Sequence, residues 1–184
     1  MHLFRTVYFV ALANHPTTDV NKQLAFLKAS GIDTKFSDIH SDLIKEVQKS
    51  LVHVLDEDLI YAVEKTKYYG IIVDESTDLS VHKKLIMYVR YICPLDIDVK
   101  TKLLGNVRIP DGTACTIVNE VLSTIQSIGL DTKHLVGLGS DGASVMFRNL
   151  GGVGVHLAEE AAHMVHVYCV VHHLALACSD AAKD

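Results

Sequence analysis

At 184 residues, 49% of them hydrophobic and with a net charge of −5, the chain has the material for one domain plus a helical extension. The acidic balance, with a pI near 6.1, argues against a free-standing nucleic-acid clamp, which shows a basic face or stripe; DNA contact is expected to be local or supplied by other segments. Four cysteines without a C-x-x-C pair do not form the dense pattern of a secreted disulfide scaffold. No apolar run approaches the ~18 residues of a membrane span, so the expected location is nuclear or cytoplasmic, without a membrane partner.

The first 66 residues read as helical and carry no recognisable chemistry. Leu3, Phe4, Val7, Tyr8, Val10 and Ala11 recur at spacings of three and four before Pro16, which predicts a helix over residues 3–13 and not a secretory leader, for which the apolar run is short. A second helix is expected after Thr18 or Asp19 as cap, through Leu24 and Leu27, closed by Gly31. Ile39, Leu43, Ile44 and Val47 predict a third over residues 37–49, and Leu59, Ile60 and Val63 a further one.

From residue 67 the period changes to two. Residues 69–73 and 85–93 read as strands, the latter alternating Leu85, Met87, Val89 and Tyr91 against Ile86, Tyr88, Arg90 and Ile92. After a turn at Pro94 and Asp96, residues 99–109 make a third strand, and connections this short imply an antiparallel meander. Ala114, Ile117, Val118, Val121, Leu122 and Ile125 lie on one helical stripe ending at Gly129. Residues 134–139 form a fourth strand, able through that helix to lie parallel to the first; a helix around 156–162, a fifth strand over 165–171 and a last helix over 174–182 complete the chain. The order β-β-β-α-β-α-β-α is that of the ribonuclease H-like fold: a mixed sheet, with a three-strand antiparallel meander and two parallel strands, flanked by helices. The domains are therefore residues 1–66, a helical region, and 67–184, the ribonuclease H-like unit.

Two strands of this scheme end in acids. Ile71-Ile72-Val73 runs into Asp74-Glu75-Ser76-Thr77-Asp78, and Leu135-Val136-Gly137-Leu138-Gly139-Ser140 runs into Asp141. Carboxylates held close together repel when ionised, and a hard cation such as Mg²⁺ or Mn²⁺ is their usual partner; with phosphodiesters, such sites stabilise the attacking and leaving oxygens. Asp74 and Asp141 fit this role as catalytic and metal residues if the strands are neighbours. The alternative is that Asp74 caps a turn and Asp141 the next helix. Glu75 should face away from Asp74, and Asp78 with Ser76 and Thr77 suits a local turn.

Three further patterns are weighed beside this pair. Gly137-x-Gly139-x-x-Gly142 matches a dinucleotide fingerprint, but Asp141 inside it would repel a pyrophosphate, and the preceding strands form a meander. His163, His166, Cys169 and His172 recur every third residue, and of these Cys169-x-x-His172 keeps zinc-ligand geometry if a strand ends there; otherwise a buried Cys and a hydrogen-bonded His brace the segment. Lys83, Lys84, Arg90, Lys100, Lys102 and Arg108 scatter positive charge over the meander, where solvation and edge protection suffice as explanations.

Four ordered stretches resemble the catalytic region of hAT-superfamily transposases and their domesticated, zinc-finger-associated derivatives: Tyr69-Gly70-Ile71-Ile72-Val73-Asp74-Glu75-Ser76-Thr77-Asp78, Val89-Arg90-Tyr91-Ile92, Leu135 through Met146, and Cys169-Val170-Val171-His172-His173-Leu174-Ala175-Leu176-Ala177. The resemblance implies that Asp74 and Asp141 match the first two acids of an Asp-Asp-Glu metal triad. It also implies that Cys169 and His172 match a C-x-x-H pair near the DNA and the active centre, beside the zinc reading of their spacing, and that relatives carry out metal-dependent DNA strand cleavage and transfer. Phe147-Arg148-Asn149-Leu150, Tyr168 and His173 depart from the family pattern.

The family's third acid lies beyond a long helical insertion, and neither Asp180 nor Asp184 matches it. The expectation is therefore a truncated, catalytically incomplete domain with residual metal (Mg²⁺ or Mn²⁺, with Zn²⁺ second) or nucleic-acid binding, lacking the dimerisation segment of its relatives. The alternative is a protein-interaction module of a domesticated regulatory protein, binding partners through its N-terminal helices. Leu174, Leu176 and Ala177 on the last helix are expected to lack cover.

Overall fold

The computed structural model describes residues 2–36, 38–77, 82–148 and 151–182; Asp78, Asn149, Leu150 and Asp184 lie outside them. The chain packs as two units, residues 1–58 and 59–184.

In the first unit, helices α1 (His2–Leu12) and α2 (Asp19–Ala29) and the start of α3 (Ser41–Thr66) enclose a small core of Leu3, Val7, Val10, Val20, Leu24, Ile39, Ile44 and Val47. Asn21 clamps the loop before α3: its amide donates to the Ile39 carbonyl at 3.0 Å and accepts the Ile39 N–H at 3.0 Å. Gly31 closes α2 at φ +82°, where a side chain is strained. Thr18 occupies the cap position but makes no side-chain cap bond, and Asp19 instead pairs with Lys22 at 2.7 Å. The two helices expected over 37–49 and around 59–63 are one helix of 26 residues. Its middle, residues 52–58, is exposed all round, so the four-residue recurrence of Leu51, Leu55 and Leu59 continues there without a buried face.

In the second unit, strands β1 (Tyr69–Thr77), β2 (Lys83–Ile92), β3 (Val99–Arg108), β4 (Leu135–Ser140) and β5 (Val165–Tyr168) form one five-stranded sheet in the order β3-β2-β1-β4-β5. β1, β2 and β3 are an antiparallel meander, and β4 and β5 add in parallel. This is the ribonuclease H-like mixed sheet expected from the pattern. On one face Ile71, Val73, Leu85, Met87, Val89 and Leu138 pack with Ile117, Val121 and Ile125 of α4 (Ala114–Ser127) and Val153 and Leu157 of α6 (Val153–Glu160) in a single core. Burying a Leu or Ile side chain in such a core contributes about 1.5–3 kcal/mol.

Several boundaries differ from the sequence reading. β1 runs on past Val73, with Ser76 and Thr77 paired to Lys84 and Lys83, so these two residues extend the strand and do not form a turn. A short helix α5 (Ser144–Phe147) follows β4, β5 stops at Tyr168, and α7 (Val170–Ala181) starts four residues early. Among the described residues, no helix is long and apolar enough to cross a membrane.

Candidate functional site

The second face of the sheet carries a cavity of about 580 Å³, and the strand register explains it. Gly70 of β1 pairs with Gly137 of β4, and Ile72 pairs with Gly139. Three of these four positions have no side chain, so the floor of the cavity is largely backbone. The fit is close: a Cβ on Gly70 would meet the Gly137 carbonyl oxygen at 3.3 Å, and one on Gly139 would meet Ile72 Cγ1 at 3.3 Å. β4 does open a parallel crossover through α6 to β5, but Gly137 and Gly139 of the glycine fingerprint lie inside the strand and only the four-residue α5 follows it.

A register shift beside Tyr69 and Gly70 sets the acids level. Leu135 pairs with Tyr69 and Gly137 with Gly70, so Val136 is an extra residue on β4. Leu135 and Leu138 are consequently both buried although three apart, and Ser140 comes opposite Val73. Asp74 and Asp141 follow this last pair directly. Side chains alternate along strands, so both carboxylates belong to the face of Gly70, Ile72, Gly137 and Gly139, and both line the cavity. Adjacent strands lie about 4.8 Å apart, which puts the two backbones within reach of one ion.

The two acids differ in their local bonding. Asp141 Oδ1 accepts the Ala143 N–H at 3.2 Å in a local turn; the helix-capping role weighed for it is not the one it takes, since Ala143 holds the cap position of α5. Asp74 is exposed, sits inside β1, and its carboxylate has no hydrogen-bond or ion-pair partner among the described residues. Glu75 takes the other face, where its Oε1 accepts from Lys83 Nζ at 2.6 Å.

Cys169 and His172 also line the cavity. Cys169 is the residue before α7, tied to β4 by its N–H donating to the Ser140 carbonyl at 2.9 Å, and His172 stands in the first turn. All four cysteines are free. Among the described residues, no three His, Cys, Asp or Glu side chains gather in a metal-holding arrangement. The oxygen donors of Asp74 and Asp141 suit a hard divalent ion that keeps part of its water shell, as Mg²⁺ does; the soft sulfur of Cys169 does not belong to that set.

Beneath the pair is a bonded and stacked support that sequence reasoning missed. Ser140, 2% exposed, donates through Oγ to the Asp141 carbonyl at 3.1 Å and lies 2.8 Å from His166 Nε2. With the hydroxyl proton committed, the Nε2–H tautomer of His166 completes the chain. Burial pushes the His166 imidazole below its ordinary range. The Phe147 ring stacks between His166, at 3.6 Å, and Tyr168, at 3.5 Å, and His173 meets Tyr168 edge-on at 5.2 Å. Three residues that break the hAT pattern, Phe147, Tyr168 and His173, thus touch one another in sequence. His163 takes no part in any of these contacts.

Residues 8–152 match the family model described as the ZMYM1/FAM200 RNase-like domain, DUF4371. The chain belongs to this family. The matched span contains Asp74, Asp141 and the glycine floor, and stops before β5 and α7. Among solved structures, the crystal structure of human ENDOV is similar at 21% identity over 50% of this chain and 40% of that one, with a TM-score of 0.31; the chain thus spans less than half of that protein.

Proposed function

We propose that this RNase-like domain is a transposase-derived unit of hAT type that binds a divalent cation, Mg²⁺ or Mn²⁺, through Asp74 and Asp141 and uses it to engage a nucleic-acid phosphodiester. The observation that carries this is the shared register: two aspartates directly follow a paired Val73 and Ser140 on neighbouring parallel strands and line one cavity. Like charges so placed favour a cation between them. The four ordered motifs that resemble hAT transposases support the ancestry. When bound, the metal supplies charge neutralisation at a phosphoryl oxygen. The protein's part is to hold Asp141 through the Ser140 and Ala143 bonds while Asp74 has no hydrogen-bond or ion-pair partner among the described residues.

Catalysis is proposed to be incomplete, because no third carboxylate joins the pair among the described residues. A labelled single-stranded oligonucleotide incubated with the protein in Mn²⁺ should be bound but cut no faster than by the Asp74→Asn variant. Metal-dependent cutting that this variant abolishes would refute the incomplete state and leave the metal role standing. Binding unaltered by chelator would refute the metal role.

The second reading, a protein-interaction module in a domesticated regulator, is favoured by a different feature. Phe4 (45% exposed), Tyr8 (45%) and Leu12 (68%) form an outward stripe on α1 at four-residue spacing. Replacing all three by Ser should leave Mn²⁺ binding unchanged; if it also left every protein association of the chain unchanged, this reading would fall.

A further inference from the structure

We infer that the cavity seats a single-stranded polynucleotide running along β1 and β2, with Tyr88 as a base-stacking platform and Arg90 as the anchor for a second phosphate. This deepens, and for its metal end rests on, the metal reading of Asp74 and Asp141. The inference starts from register. On β2, Ile86 is opposite Asp74, Tyr88 opposite Ile72 and Arg90 opposite Gly70. Antiparallel partners share a face, so acid, aromatic ring and guanidinium follow one another along the open face, and Tyr88 and Arg90 both line the cavity with the two acids.

Four residues of strand separate the levels of Asp74 and Arg90, about 13 Å. That distance explains why Arg90, an exposed cation in the same cavity as two carboxylates, forms no ion pair with either of them. It also selects the ligand. A mononucleotide carries its charge at one end and would satisfy either the acid-bound metal or Arg90. A strand places phosphates at both, with a base between them over Tyr88, which is 38% exposed. Gly137 and Gly139 leave the neighbouring floor bare, which gives sugar and base room to lie flat. Stacking on an aromatic side chain is sequence-tolerant and contributes comparably for every base, so binding is expected to depend on strandedness more than on sequence.

The experiment uses the full chain and fluorescence anisotropy of a labelled 10-nucleotide strand, as DNA and as RNA, against its duplex and a mononucleotide, in Ca²⁺ to separate binding from cutting. Arg90→Gln should weaken binding of the strand roughly tenfold and reduce the salt slope by about one. Tyr88→Leu should weaken it roughly tenfold at unchanged salt slope. Both side chains are exposed, so the melting temperature should hold in each variant, as should Mn²⁺ affinity. Binding of either the DNA or the RNA strand meets the expectation, and the tighter one names the sugar. Strand binding indifferent to both variants, with Mn²⁺ affinity intact, overturns this inference alone. Strand binding that needs Arg90 and Tyr88 in a protein that binds no Mn²⁺ sustains the strand-binding inference and overturns the metal reading. A duplex or mononucleotide bound as tightly as the strand overturns the choice of ligand.

Discussion

Val73 of β1 pairs with Ser140 of β4 at the last step of their parallel ladder, and an aspartate follows each. β1 continues beyond this point against β2 alone, so Asp74 stands where the sheet opens on one side and is held on the other. Glu75, one residue on, tests the geometry because it shares the charge but not the face.

Glu75→Gln should therefore leave Mn²⁺ affinity within about twofold. Its ion pair with Lys83 is partly exposed, 24% and 43% for the two side chains, so its loss should lower stability by less than about 1 kcal/mol. Calorimetric titration with Mn²⁺ and a urea melt check both parts.

The paired glycines make a second, asymmetric prediction. Gly70→Ala places a methyl 3.3 Å from the Gly137 carbonyl oxygen, a backbone atom between two strands, whereas Gly137→Ala meets only Gly70 Cα at an ordinary 3.8 Å. Overpacking of this kind costs about 1–3 kcal/mol, so Gly70→Ala should melt well below the native protein. Gly137→Ala should match or slightly exceed it, since removing glycine reduces unfolded-state freedom by about 0.4–1 kcal/mol.

Phe147 holds two rings at once. Phe147→Leu loses both stacks, each worth about 0.5–1.5 kcal/mol beyond area burial, and should destabilise by about 1–2 kcal/mol in a urea melt. Tyr168→Leu removes only the outer stack and its His173 edge contact, and should cost less.

His166 sets a pH dependence. Burial lowers its folded-state affinity for a proton, so the unfolded chain takes one up near its ordinary value of about 6.5 while the folded chain resists. Stability is then full above that pH and declines as the pH falls through it towards the lower folded value. His166→Gln should flatten the difference between melts at pH 7.5 and pH 5.5; an unchanged slope would show that His166 is not the group responsible.

Much of this fold was legible because its elements change period where their burial changes. The switch from three-and-four spacing to alternation at residue 67 marks β1, and the alternation of β2 already put Tyr88 and Arg90 on the face opposite Met87 and Val89. The central run of α3 was passed over because residues 52–58 are all exposed; the absence of Gly and Pro from 41–66 and the four-residue recurrence of Val47, Leu51, Leu55, Leu59 and Val63 were the signals of continuity. Placing Asp74 and Asp141 on adjacent strands followed from topology, but their shared level depends on the extra residue Val136, and a one-residue register shift has no local signature. The Ser140, His166 and Phe147 support was hidden for a similar reason. It joins three segments, and the three-residue recurrence of His and Cys drew the reading towards zinc where His166 instead bonds a serine.

The most direct test of the account is a Mn²⁺ titration followed by electron paramagnetic resonance on the native chain, Asp74→Asn, Asp141→Asn and the double variant. The account predicts one bound ion in the native chain, at least tenfold weaker binding in each single variant, and little further loss in the double, because both carboxylates serve one ion. Native-like affinity in either single variant would contradict it.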